Sequence, residues 1–259
     1  TNAQILRLYN AFTDASNYDR GFMRFNANVL EIGTERAGSY NTTRNLSFVF
    51  NGVAKGGLSS TGGFWVGDAN AATSCASVIS GIYNYANIEH STIIGGMRGA
   101  TYLYGQSVVS FGGRPFNAGN YTGGVCQSWL LTLSGYTTDA TQSRMRAGDN
   151  SATWDYHQRI TIRSGYTVSA LVCIKGIKSD GSAKARFWRL VDITRVGNST
   201  TMDVAEQTLG SDLNPTGACS ITIQADDTNE ALEILVGGVA GEIWRWTGTM
   251  YATEMAYGT

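Results

Sequence analysis

The chain has 259 residues, a formal net charge of −1 and 15% charged residues, where an average soluble domain carries about 25%. It holds 32 glycines but only two prolines, a composition suited to extended strands and tight turns and unlike a helical enzyme rich in Ala, Glu, Lys and Leu. Its basic residues are scattered, with no run to track a phosphate backbone. No apolar stretch reaches the ~20 residues that span a bilayer, so neither nucleic acid nor membrane insertion is expected.

In chain order, the first strand signals are Ile5-Leu6-Arg7-Leu8-Tyr9, Gly21-Phe22-Met23-Arg24-Phe25, Val29-Leu30-Glu31-Ile32-Gly33 and Leu46-Ser47-Phe48-Val49-Phe50. Residues 51–73 are rich in Gly, Ser and Ala, yet Phe64-Trp65-Val66 calls for burial. A short repeat follows. Val78, Ile93 and Val108 lie fifteen residues apart, as do Ile79, Ile94 and Val109, and glycines follow each pair. A β-branched pair and glycine at this period fit the stacked coils of a β-roll or β-helix. A coil of that length spans about 50 Å of strand, too little to bury a core of its own. The six branched residues are therefore expected to form a trimerisation core. Three strands of a plain meander would satisfy the same pattern.

Past Pro115 and the Asn-Gly-rich residues 116–124, apolar residues alternate as in half-buried strands. Trp129, Leu131 and Leu133 do so, then Val168, Ala170 and Val172, and then Leu232, Ile234 and Val236. Trp129, Trp188, Trp244 and Trp246 are placed in the core by this alternation. A helix is signalled only over 202–209. The fold class expected is all-β: a short trimeric roll or β-helix stem followed by an antiparallel, jelly-roll-like β-sandwich. The domains expected are 1–73 (attachment and stem), 74–113 (roll) and 114–259 (sandwich).

Three parts of the chain carry a family resemblance. Residues 6–22 (LRLYNAFTDASNYDRGF), followed by Val29-Leu30-Glu31-Ile32-Gly33-Thr34-Glu35, resemble a segment of bacteriophage tail-fibre proteins. Ser77-Val78-Ile79-Ser80-Gly81 and Thr92-Ile93-Ile94-Gly95-Gly96 are similar to the repeats of trimeric adhesin heads and phage fibre shafts. The part after 114, with Ser179-Asp180-Gly181-Ser182-Ala183 and Asp227-Thr228-Asn229-Glu230-Ala231-Leu232, resembles a domain recurrent in phage tail-associated proteins. The resemblance implies a homotrimeric virion protein assembled in the host cytoplasm. It would join other virion proteins through its N-terminal region and meet a host-surface glycan or protein through its C-terminal domain.

Catalytic signatures are missing from the sequence. The two histidines, His90 and His157, have no partnered nucleophile motif. Cys75, Cys126, Cys173 and Cys219 form no CxxC pair and read as buried free thiols, so neither a metal nor a cofactor is expected. Glycan hydrolysis would need two carboxylates. Asp149 with Asp155 and Asp226 with Asp227 are the pairs to consider, the latter reading more simply as turn caps. For ligand binding, the best cluster is Trp154-Asp155-Tyr156-His157, an aromatic surface flanked by polar groups. The chain is therefore expected to be a receptor-binding fibre protein and not an enzyme. A virion connector or capsid-associated fibre, and a glycan depolymerase, are the other classes left open.

Overall fold

The computed structural model describes residues 5–39, 44–67, 70–72, 78–86, 88, 90–110, 126–148, 158–214 and 217–257. Among them every regular element is a β-strand, so the all-β expectation holds.

The first three strands, β1 (Ile5–Asp14), β2 (Asn17–Asn26) and β3 (Val29–Ala37), form an antiparallel meander separate from the other sheets. Strand alternation sorts its side chains. Leu6, Met23 and Ile32 are cross-strand partners, as are Phe25 and Leu30, and Leu8 lies on the same face. All six are exposed. The other face is polar and self-satisfied: Arg24 pairs with Glu31 at 2.6 Å, Arg20 pairs with Glu35, and the Arg20 guanidinium lies 4.1 Å from the centre of the Tyr18 ring. The meander is thus amphipathic, with an apolar face exposed among the described residues.

A hairpin of β4 (Leu46–Phe50) and β5 (Val53–Leu58) leads to β6 (Phe64–Val66). Short strands then alternate between two ladders. β7 (Ala71–Ala72), β9 (Tyr85–Ala86) and β11 (Ala100–Thr101) pair in parallel. So do β6, β8 (Val78–Ile79), β10 (Thr92–Ile93) and β12 (Ser107–Ser110). Parallel pairing of successive short strands rules out the meander alternative, which requires antiparallel neighbours.

The register departs from a uniform fifteen. Phe64 pairs with Val78 and Val78 with Thr92, steps of fourteen, while Thr92 pairs with Ser107, a step of fifteen. Ile79, Ile93 and Val108 therefore share a row, and Val78 is not the equivalent of Ile93. The cause is one extra residue ahead of a corner, Ile94-Gly95-Gly96 where the preceding turn has Ser80-Gly81. The corners themselves stack. Gly67, Gly81 and Gly96 have φ of 113°, 90° and 91°, a region that favours glycine. A Cβ on Gly81 would sit 2.0 Å from the Gly96 carbonyl oxygen. Asparagines lock the same corners. Asn70 Nδ2 donates to the Gly81 carbonyl at 2.7 Å and Asn84 Nδ2 to that of Gly96 at 3.1 Å, while Asn70 Oδ1 accepts from the Asn84 amide at 2.9 Å.

The rest is built on long strands. β13 (Cys126–Thr137) is followed by the short β14 (Ser143–Arg144), β15 (Arg146–Ala147) and β16 (Ile160–Thr161). Next come β17 (Tyr166–Lys178), β18 (Lys184–Val196), β19 (Ser199–Met202) and β20 (Gln207–Thr208). The chain ends in β21 (Ser220–Asp226), β22 (Ala231–Gly237) and β23 (Trp244–Ala256). The large sheet runs β19-β18-β17-β23-β13 and continues through β12 into the parallel ladder, crossing the expected boundary at 114. The smaller sheet, β14-β22-β16 with β21 beside β22, shares one core with it. Leu131, Leu133, Val172, Ile174, Trp244 and Met250 from the large sheet meet Ile160, Ile223, Ile234 and Val236 in that core.

Alternation places Trp129, Trp244 and Trp246 inside as expected, but Trp188 is 41% exposed. Phe187 and Arg189 hold the inward positions of β18, which turns Trp188 to the other face. Cys173 is half-buried on the outward side of β17 for the same reason, between the inward Val172 and Ile174, and Cys126 is half-buried on β13. The expectation of buried thiols is met for Cys219; Cys75 lies outside the described residues. No helix forms over 202–209, where the chain leaves β19 and re-pairs through β20 along the edge of β18.

Candidate ligand-binding face

The outward face of the large sheet is ordered in rows by cross-strand register. One row is Leu190, Leu171, Tyr251 and Leu130. The next towards one end is Trp188, Cys173 and Thr249, and towards the other Asp192, Ser169 and Thr253. Tyr251 is 54% exposed, and Trp188, one row along and across β17, is 41% exposed. A hollow of about 350 Å³ opens here, lined among others by Leu171, Leu190, Asp192, Val204, Gln207 and Tyr251. β20 and the segment before it form one wall. The face thus combines aromatic and aliphatic surface with hydroxyl, amide and carboxylate groups, the mixture that polar ligands with apolar faces require. Burial pushes the Cys173 thiol up, so it stands as a small neutral group in this surface.

The opposite face of the same strands uses its charged groups to hold the fold. Arg189, turned inward, donates to Asp212 Oδ1 and Oδ2 at 2.7 and 2.8 Å, and these bonds hold the Asp212 carboxyl below the usual range. Glu206 is 3.7 Å from Arg189, and its burial pushes its carboxyl up. At the junction with the parallel ladder, Glu254 is buried and accepts from Trp129 Nε1 at 2.9 Å, from the Tyr102 hydroxyl and from Arg163. Burial and the Glu254 charge push the Tyr102 hydroxyl well up, so it remains a donor. Arg163 also stacks 3.8 Å from the centre of the Tyr166 ring.

Among the sequence candidates, Trp154, Asp155, Tyr156 and His157 lie outside the described residues, as does Asp149. Asp226 accepts from the amide and side chain of Asn229 at 3.1 and 2.8 Å and so caps its turn, while Asp227 accepts from the Thr200 amide of β19 at 2.6 Å. His90 is an exposed turn residue with φ 59°. Of the branched residues assigned to a trimer core, Ile93 and Val108 are fully buried within their own chain, whereas Ile94 and Val109 are 62% and 37% exposed. Val78 and Ile79 lie in β8, and their side chains fall outside the description. No cluster of three metal-ligating side chains occurs among the described residues. Sequence reading missed Trp188 and Tyr251 as surface groups. The period-two signal was present, since Phe187 and Trp188 cannot both face inward.

No family model matches this sequence, and no curated protein does. Some solved structures are similar. The tailspike protein gp49 of Acinetobacter baumannii bacteriophage Fri1, a capsular polysaccharide depolymerase, is 9% identical, with a TM-score of 0.32, over 69% of this chain and 30% of its own. The tailspike of Acinetobacter phage vB_ApiP_P1 is 13% identical, with a TM-score of 0.25, over 74% of this chain and 46% of its own. That of Acinetobacter baumannii phage AM24 is 8% identical, with a TM-score of 0.28, over 70% and 40%. The chain therefore spans less than half the length of these proteins. All three are phage tailspikes. The expectation that the chain is not an enzyme is withdrawn against the Fri1 protein, which is one. A likeness this distant carries no residue role across.

Proposed function

We propose that the chain is a component of a phage fibre or tail tip that holds a host-surface glycan on the outer face of its C-terminal β domain. In this reading a short β-roll stem carries a β-sandwich head. Three copies assemble through the N-terminal part, which also joins other virion proteins. The observation that carries the reading is the open hollow lined by Leu190, Tyr251, Asp192 and Gln207, with the exposed Trp188 in the adjoining row. Sugar rings present apolar C–H faces to aromatic surfaces and hydroxyls to carboxylates and amides. Three weak sites on one trimer raise avidity by ~10²–10⁴ through effective concentration.

The test is binding of the full chain to polysaccharide from host cells. Trp188→Ala and Tyr251→Ala are each expected to weaken it at least about tenfold, as aromatic residues at binding hot spots do, with folding unchanged. Binding that ignores both substitutions would move the site elsewhere. Shortening of the polymer during the same incubation would add cleavage to binding.

A further inference from the structure

The outward face of the large sheet carries a charge imbalance beside the aromatic row. Lys175 and Arg186 are direct cross-strand partners, and the next row brings Lys184 and Arg245 to either side of Ile177. All four cations are exposed and point to the same side as Trp188 and Tyr251. Directly opposed side chains have Cβ atoms about 4.5–5.5 Å apart, and like charges in that position destabilise a sheet. Neighbouring acids do not offset them. Asp180 and Glu242, at the same end, are engaged by Lys178 at 3.5 and 2.8 Å. Asp212 is held by Arg189 on the opposite face. Among the described residues none of the four cations forms an ion pair. Arg186 instead lies 5.1 Å from the centre of the Trp188 ring, joining a cation to the aromatic surface.

We propose that this face selects an acidic polysaccharide, one whose sugars bear carboxylates, with Lys175, Arg186, Lys184 and Arg245 meeting the acid groups and Trp188 and Tyr251 the sugar faces. The inference rests on the glycan-binding reading above and narrows its ligand. Charge complementarity identifies the occupant: a second copy of this chain would bring the same four cations against themselves, whereas a polyanion relieves their repulsion. Trp188 lies one row and Tyr251 two rows from Lys175 and Arg186, and Lys184 and Arg245 lie one row further; at about 7 Å per same-face row the groups span roughly 7–20 Å, the length of a short oligosaccharide. A rigid extended strand of sugars can therefore touch both. Asp192, at the far end of the hollow, leaves that end for uncharged hydroxyls.

The experiment measures binding of the full chain to polygalacturonate, to neutral dextran and to single-stranded DNA at two salt concentrations. Polygalacturonate is expected to bind more tightly than either, and more weakly at high salt because exposed charges are screened beyond about 10 Å at 0.1 M. Lys175→Gln with Arg186→Gln is expected to reduce that binding about tenfold, and Lys175→Arg with Arg186→Lys to preserve it. Dextran bound as tightly as polygalacturonate, with no salt dependence, would overturn the acidic preference and leave the glycan site standing. Binding of neither polysaccharide would overturn both. DNA bound as tightly as the uronate polymer, or a change in sedimentation rather than in binding on neutralising the pair, would overturn the choice of ligand.

Discussion

The meander at residues 5–37 and the long strands after 126 show the same alternation of apolar and polar side chains, but only the second region closes on itself. In the C-terminal part, alternation turns Leu131, Val172, Phe187, Trp246 and Met250 inward against a second sheet, and all are buried. In the meander, Leu6, Leu8, Met23, Phe25, Leu30 and Ile32 share one face, and each remains at least 42% exposed. A face of that kind is stable when something covers it, because exposed apolar patches on this scale mark interaction surfaces. The lesson is that strand pattern fixes which side is apolar, whereas the cover depends on chain left over to form a second layer. In the trimeric reading further copies cover the apolar face of the meander.

Substitutions that separate the two regions follow, beginning with the largest effect. Leu8→Asp together with Ile32→Asp is expected to abolish assembly, because it places two charges in the uncovered face. Thermal unfolding of the C-terminal domain is expected to stay where it is. A trimer that survives both changes, read by light scattering, would mean that this face is not the interface.

Glu254→Gln acts on the other region. It removes the carboxylate that holds Arg163, Tyr102 and Trp129 together, and breaking a buried ion pair costs about 3–5 kcal/mol. Denaturant unfolding is expected to show that loss with the trimer intact. A change below 1 kcal/mol would mean that the junction is wet and the charge tolerates solvent.

Gly81→Ala tests the ladder between the two. The left-handed φ alone costs about 1–3 kcal/mol for a residue with a side chain, and the methyl would collide with the Gly96 carbonyl. Hydrogen exchange is expected to quicken over 78–108 and to stay slow in β17 and β23. Uniform quickening would show that the ladder and the long strands open as one unit.

The smallest effect is a pH dependence. Arg189 holds the Asp212 carboxyl below its ordinary value of 3.8. A carboxyl lowered by folding stabilises fully above its unfolded pKa, and that stability is lost as pH falls through the folded value. Acid unfolding of Asp212→Asn is therefore expected to be less steep below about pH 4, by under about 1 kcal/mol because the pair is partly solvated. An unchanged acid profile would show that Asp212 contributes nothing through its charge.

Much of the fold was legible in the sequence because strand alternation is a local signal. Residues 129–133, 168–172 and 232–236 read as half-buried strands; all three are strands, with 232–236 buried on both faces where β22 sits inside the smaller sheet. The parallel ladder was legible as a period but not in register, since an inserted residue before a corner shifts pairing without changing composition. The segment 202–209 misled because Ala205-Glu206-Gln207 favours a helix in isolation, whereas the free edge of β18 accepts its backbone as β20. The ligand face was illegible for another reason. Trp188, Tyr251, Lys175 and Arg245 come from three strands with a chain order unlike their spatial order, β18-β17-β23. Spacing along the chain cannot bring them together.

Sedimentation of the full chain at micromolar concentration tests most directly whether the N-terminal part is completed by other copies. The expected result is a single species of three times the 27.8 kDa chain. A stable monomer, with Leu6, Leu8 and Phe25 open to water, would contradict it.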